Sequence, residues 1–386
     1  MDIRSSCTRL LAALAMMFGV VSPAVAQQAT TSPIAVDSVV AFDEAVDTDG
    51  NVVPGVTVDT VASAGLGHGF EAIVRPWAQR LGSTREWNRQ IWLATLRYER
   101  AGRVGLRIDS GLIPSPVGLA NLMMRAPLNP TVAMPSSLFQ SLPAIEPGGP
   151  RATLLGGLYP YGISGTVSME HWDARASLID TATMRSRRVF AQTNPPRFAN
   201  VVLGGGVTPV IGLRVGGSFT RGGWQHEGEI SPAALATAHE IEYANADYAE
   251  EEEHEDEGGG TSNANVVTLE TEYAFRYTKF SGEWVRTARQ TIMDSTVVAS
   301  GWFVQGQQIL SPRWFAAGRV ERMDSPALLP SSVYVDQQFT GIESTIGYRL
   351  TPEVTLRAGH RARELFGRDT YAHTATFSVV WWQRWK

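Results

Sequence analysis

The feature that most limits what this chain can fold into is an alternation of period two, in segments about ten residues long, with charge confined to one face. Between 90 and 100, Trp92, Ala94, Leu96 and Tyr98 share one face, while Thr95 and Arg97 share the other. Val104, Leu106 and Ile108 then alternate with Arg107 and Asp109. Trp172, Ala174, Ala176 and Leu178 alternate with Asp173, Arg175 and Ser177, and Leu213, Val215 and Phe219 with Arg214, Ser218 and Thr220. The longest repeat sets Val267, Leu269, Thr271, Tyr273 and Phe275 against Thr268, Glu270, Glu272, Ala274 and Arg276. Soluble sandwiches seldom alternate for so long. The pattern predicts an all-β fold, a transmembrane antiparallel up-and-down β-barrel with its apolar face on lipid.

Connection lengths carry the same message, because short and long ones take turns. Glu170-His171, Thr208-Pro209, Thr278-Lys279, Ser311-Pro312 and Thr351-Pro352 read as short turns. Long connections are expected near 110–158, 181–197, 222–264 and 323–337. Outer-membrane barrels have this rhythm, with short periplasmic turns and longer extracellular loops. The stretches VTPVIGLRVGG, LSPRWFAAGR and LTPEVTLRAGH form a weak internal repeat, each a Ser/Thr-Pro turn that opens a strand. Fourteen strands are counted from Gly67 onward, and a hairpin across 35–63, turning at Asp47-Thr48-Asp49-Gly50, brings the expected number to sixteen, with fourteen as the alternative.

Export is written at the start. Arg4 and Arg9 precede the apolar run LLAALAMMFGVV, and Ala24-Val25-Ala26 precedes Gln27, which is the pattern of a cleavable signal peptide over 1–26 and a barrel over 27–386. The single cysteine, Cys7, lies before the apolar run, so the exported chain forms no disulfide. Elsewhere no segment approaches the ~18 apolar residues of a transmembrane helix.

The last strand, YAHTATFSVVWWQRWK, is amphipathic with aromatics near its end, and it looks like the signal read by the outer-membrane barrel-assembly machinery, although Lys386 follows the final tryptophan. Two further stretches carry a family likeness. VGLRIDSGLIPSPVGL over 104–119 and GWFVQGQQILSPRWFAAGRVERMD over 301–324 resemble strand-and-turn segments of outer-membrane porins, including the phosphate-selective porin O/P type. The resemblance implies a bacterial outer-membrane channel for passive diffusion of small hydrophilic solutes or ions, surrounded by outer-membrane lipid and assembled as a homotrimer. It implies no enzyme activity, cofactor or nucleic acid. The chain departs from a phosphate-selective channel in having two lysines, Lys279 and Lys386.

If the apolar faces meet lipid, the polar faces line the lumen. The pore-lining candidates are Arg97, Arg107, Asp109, Arg175, Arg214, Glu270, Glu272, Arg276, Arg319, Glu321, Arg357 and Arg361, with Asp173 beside them. Arginines outnumber acids in this set, which predicts a mild anion preference. Cross-strand ion pairs that only brace the wall are the competing reading.

The connection 222–264 carries twelve acids, no Lys or Arg, and His226, His239 and His254. No spacing in it matches a defined metal motif, so it reads as a solvated acidic loop at the mouth, dispensable for insertion, and not as a metal site. Its charge of −12 sits on a chain whose net charge is −5; without the signal's +1 and without the loop, the remainder is +6. The connection 110–158 contains Leu112, Ile113, Leu122, Met123, Met124, Leu138, Phe139 and Leu142 among prolines, and sequence leaves open whether it folds into the pore or caps the outside. A non-conducting structural or adhesin-type barrel and an outer-membrane hydrolase remain the alternatives; a sealed lumen or esterase activity would mark them.

Overall fold

The computed structural model describes residues 34–385 except 83–85, 146–151, 157–158, 186–199, 227–260, 292–294, 329–333, 365 and 367–369. The segment 1–26, expected to be a signal peptide, and most of the acidic connection therefore lie outside the described residues. Sixteen strands close into one antiparallel barrel in chain order: β1 (Ile34–Asp47), β2 (Val52–Gly67), β3 (Phe70–Leu81), β4 (Trp87–Arg100), β5 (Gly105–Leu112), β6 (Tyr161–Ser168), β7 (Trp172–Ile179), β8 (Asn200–Val210), β9 (Leu213–His226), β10 (Thr261–Phe275), β11 (Thr278–Gln290), β12 (Thr296–Ile309), β13 (Trp314–Leu328), β14 (Tyr334–Arg349), β15 (Val354–Glu364) and β16 (Tyr371–Trp385). β16 returns to pair with β1 from Val36↔Trp385 to Asp47↔Thr374, so every strand has two neighbours and no edge is left open.

The alternation decides which face meets which medium. Leu203, Val215, Leu269, Val304, Ile342, Ile346 and Phe377 stand out from the wall, each about half exposed, while Thr268, Glu270, Ser281, Arg319, Glu321 and Ser378 on neighbouring positions are buried inside. An apolar exterior on a closed sheet is stable only in a bilayer, since every backbone group is already satisfied by a neighbouring strand. The protein belongs in a bacterial outer membrane. Seven short turns lie at one end of the barrel and the long connections lie at the other.

The strand count matches the expected sixteen, but several local readings are corrected. Trp92, expected on the lipid face, points inward. Pro76 on β3 interrupts the pairing, so Arg75↔Leu93 is followed by Pro76↔Ile91 and Trp92 is the extra residue of a bulge. Above the bulge the inward parity of β4 is reversed. Arg276, expected in the lumen, sits in the tight turn between β10 and β11 with φ of 53° and stacks its guanidinium over Phe275 at 5.1 Å. The turn is therefore Arg276-Tyr277, and Thr278-Lys279 opens β11.

Likewise Thr208-Pro209 lies within β8. Proline breaks the ladder between Val207 and Val210, and the chain turns later, at Ile211-Gly212, where Gly212 takes φ of +90°. The long connection expected at 323–337 is largely strand, since β13 runs to Leu328 and β14 starts at Tyr334. Its inward face is carried by Ser325 and Ala327, small residues that give little hydrophobic signal. β9 and β10 also extend into the expected 222–264 connection, as far as His226 and from Thr261.

Candidate functional site in the barrel lumen

The connection between β5 and β6 folds into the barrel. It runs through short helical turns at Ala120–Met124, Ala126–Leu128 and Ser136–Phe139, and Ile113, Val117, Ala120, Leu138, Leu154 and Leu155 are almost wholly buried. They join one apolar cluster with Trp77 and Trp92, Ile179, Val202, Val285, Phe303, Met323 and Phe339 on the surrounding strands. Each fully buried leucine or isoleucine contributes roughly 1.5–3 kcal/mol to holding the segment inside.

Burial creates a second demand. Pro114, Pro116, Pro127, Pro130, Pro135 and Pro143 keep the segment from forming a regular ladder, so its buried carbonyls and amides need side-chain partners. One wall supplies them. Arg319 is 1% exposed and donates to Thr131 Oγ1 at 2.9 Å, to the carbonyls of Ala133 and Met134 at 2.9 and 3.0 Å, and to Glu343 at 2.7 Å. Arg357 donates to the carbonyls of Ala126, Asn129 and Thr131 at 3.2, 3.0 and 3.0 Å, and to Ser378 Oγ at 3.0 Å. Arginine suits this task, because its planar fork can serve several acceptors at once.

Carboxylates on the same wall receive the amides. Glu343 accepts from the N–H groups of Val132 and Ala133 at 2.9 and 2.8 Å, and Glu321 from the N–H and hydroxyl of Ser136 at 2.8 and 2.7 Å. Arg361 donates to Glu321 at 2.9 Å and to Ser136 Oγ. Glu283 accepts from Leu119 and Ala120 at 3.1 and 2.8 Å. Its approach requires Gly118, whose φ is +74° and where a Cβ would lie 2.1 Å from Glu283 Oε1. At the seam between β16 and β2, Arg125 of the inserted segment pairs with Asp37 at 2.6 Å, and Asp37 also accepts from Trp382 Nε1 at 2.6 Å.

The far end of the segment is pinned differently. Arg75 pairs with Asp59 at 2.6 Å and donates to the Tyr159 hydroxyl, with its guanidinium 5.0 Å from the Trp92 ring and 5.4 Å from that of Tyr159. Trp77 stacks on Trp92 at 4.6 Å. Burial, only partly offset by Arg75, pushes the Tyr159 hydroxyl above the ordinary phenol range.

The arc from β4 to β11 is left uncovered on its lower half. Arg97 and Arg107 both pair with Asp109, at 2.8 and 2.6 Å, and Arg97 reaches Glu71 at 3.8 Å. Arg214 pairs with Asp173 at 3.0 Å and approaches Glu270 at 3.8 Å, with Arg175 in the field of both acids. Lys279 pairs with Glu272 at 2.7 Å. A recess of about 50 Å³ adjoins this pair, between Ser281, Gln305 and Gln307 on the wall and Leu119, Leu122 and Met123 of the inserted segment.

The candidate residues thus divide. Arg97, Arg107, Asp109, Arg175, Arg214, Glu270 and Glu272 lie together on the open arc; Arg319, Glu321, Arg357 and Arg361 hold the inserted segment; Arg276 is in a turn. Sequence reasoning missed Glu343, Glu283, Asp37, Asp59 and Arg75. Glu343 and Glu283 lie on inward positions of alternating strands and were within reach of the same reading.

Neither a protein-family profile nor a curated protein sequence matches this chain. Solved structures do match its fold. The outer-membrane expressed OmpT of Vibrio cholerae superposes with a TM-score of 0.56 at 8% identity over 92% of this chain and 99% of that one. The in-vitro folded trimer form of Vibrio cholerae OmpT gives 0.52 at 8% identity over 91% and 99%. OmpF of Salmonella typhi, solved with daunomycin, gives 0.56 at 8% identity over 91% and 97%. At such identities the likeness is one of fold: this chain's closed barrel superposes on those outer-membrane proteins over nearly their whole length.

Proposed function

We propose that the barrel is a narrow diffusion channel of the outer membrane, in which small hydrophilic solutes and ions pass along the open arc of β4 to β11. The observation that carries this reading is the division of the lumen. Of the side chains that clamp the inserted segment, Arg319, Glu321, Glu343 and Arg357 keep 1–4% exposure and Arg361 at the edge keeps 18%, whereas those of Arg107, Asp173, Lys279 and Arg214 keep 29%, 28%, 24% and 20% of their surface accessible. Ionised groups wetted on one side of a confined passage attract counter-ions and hold a hydrated path open.

The anion preference is mild in this reading. Arg97, Arg107, Arg175, Arg214 and Lys279 face Glu71, Glu99, Asp109, Asp173, Glu270 and Glu272, so formal charge alone gives no anion excess and the bias rests on depth. Asp109, Glu270 and Glu272 lie deeper than the cations that cover them, while Glu71 and Asp173 oppose the bias. Lys279 is the single lysine in the lumen among the described residues, so the channel is not proposed to select phosphate. Homotrimer assembly is supported by the trimer form of the Vibrio cholerae neighbour, and insertion through the barrel-assembly machinery by the amphipathic β16.

Reversal potentials of the refolded mature protein in a salt gradient test the proposal. Wild type is expected to conduct with a small anion bias, and Arg107→Ala to move the reversal potential toward cations, more at 0.1 M salt, where the Debye length is ~10 Å, than at 1 M, where it is ~3 Å. A second reading, a non-conducting barrel, is favoured by the apolar cluster that joins the inserted segment to strands on all sides. A lumen that passes no current sinks the channel and leaves the second reading standing.

A further inference from the structure

On the outer face, the ninth residue of three successive upward strands is arginine: Arg221 on β9, Arg286 on β11 and Arg322 on β13. All three side chains are exposed. The pairing puts them on one level. Arg221 faces Asn265 on β10, which faces Ala288, two residues above Arg286. Arg286 faces Ser300 on β12, which faces Asp324, two residues above Arg322. A step of two residues for every two strands is the slope expected of strands tilted by ~40°, so the arginines follow a horizontal line around the wall. Asn265, Ser300 and Thr340 fill the same line on the strands between and beyond them.

Height identifies the medium. Eight residues at ~3.4 Å, tilted by ~40°, place the arginine backbones about 20 Å above the strand starts at Leu213, Thr278 and Trp314. The step below the arginines is apolar and aromatic, with Phe219, Trp284 and Trp302. An outer-membrane barrel presents an apolar band ~25 Å tall edged by aromatic girdles, and long side chains reach from its edge into the headgroups. The belt is therefore at the headgroup level, at the end that bears the long connections.

We infer that Arg221, Arg286 and Arg322 form a binding patch for a phosphorylated lipid headgroup of the outer leaflet. Among the described residues Arg221 and Arg286 face no carboxylate, and Arg322 shares its charge with Asp324 at 2.9 Å. Guanidinium groups bind phosphate through paired N–H donors, and four strand spacings of ~4.8 Å spread this patch over about 20 Å of wall, enough for a headgroup with more than one phosphate. Of the other upward strands, β1, β3 and β15 carry Phe42, Ala78 and Ala362 at the ninth position and β5 and β7 end at the eighth, while a single exposed arginine, Arg89, faces Ala78 from β4, so the run of three arginines belongs to the β9–β13 side. This inference rests on the barrel's placement in the membrane and is independent of whether the lumen conducts.

Native mass spectrometry of the refolded mature protein in detergent, with bisphosphorylated lipid A as probe, tests it. Because each basic residue near an anionic headgroup adds to its attraction, Arg221→Gln with Arg286→Gln is expected to weaken binding about tenfold or more, and Arg221→Lys with Arg286→Lys to keep most of it. Lipid A stripped of phosphate should bind weakly, and inorganic phosphate should not displace the intact lipid. Circular dichroism checks that each variant is folded, and if the double Gln variant is not, Arg286→Gln alone carries the same comparison. Equal binding by wild type and the Gln variant, equal binding of the stripped lipid, or displacement by inorganic phosphate would each overturn the assignment.

Discussion

The two walls of the lumen are built from the same residue types in the same alternation, yet they do different things. Arg319 and Arg357 end among carbonyls of the inserted segment with 1% and 4% of their surface exposed, whereas Arg107 and Arg214 pair with wall acids and stay wetted. What separates them is the partner. A proline-rich segment that cannot satisfy its own backbone recruits one set of charges and leaves the other to the solute. An inward arginine is therefore not a pore-lining arginine until its acceptors are known.

Removing a clamp is the strongest way to break this comparison. Arg319→Ala deletes one member of a buried ion pair, leaving Glu343 without its counter-charge and the Met134 carbonyl without its side-chain donor, a local cost of about 3–5 kcal/mol. Strand pairing is untouched, so the loss falls on the inserted segment. Single-channel conductance is expected to rise severalfold and amide exchange across 126–139 to accelerate; unchanged values would mean that apolar packing alone holds the segment. Arg107→Ala, by contrast, is expected to leave exchange in the segment unaltered and to act only on the reversal potential.

The smallest effect lies outside both walls, in the β1–β2 turn. The Asn51 side chain and backbone N–H groups hold the Asp47 carboxylate below the ordinary aspartate range. A lowered folded value means that its stabilisation is present above the unfolded pKa of ~3.9 and is lost as pH falls through the lower folded value. Protection of the Asp49 and Asn51 amides, which donate to that carboxylate, should thus persist through mildly acidic pH and fail only below that value, with lumen conductance indifferent to the change. Loss of protection well above pH ~3.9 would contradict the assignment.

Much of this architecture was legible in the sequence. Alternation and connection rhythm led to sixteen strands because period-two burial is a local property of each strand. Register was not local. The inward turn of Trp92 depends on Pro76 in the neighbouring strand, and the turn at Arg276 depends on a positive φ that arginine seldom adopts. The fate of the segment after Leu112 was left open, since its apolar residues fit either a cap or an insertion. The division of the arginines followed from that missing fact. Glu343 and Glu283 were overlooked although the alternation already placed them inside.

The most direct test of the two-wall account uses the chain's lack of any cysteine other than Cys7, which precedes the barrel. Asp173→Cys on the open arc and Gln305→Cys beneath the inserted segment are each treated with a small water-soluble thiol reagent during current recording. The account predicts rapid modification and a drop in current for Asp173→Cys. It predicts no reaction for Gln305→Cys, which is 3% exposed, unless Arg319→Ala is present as well. Equal reaction rates at the two positions in an otherwise wild-type background would contradict it.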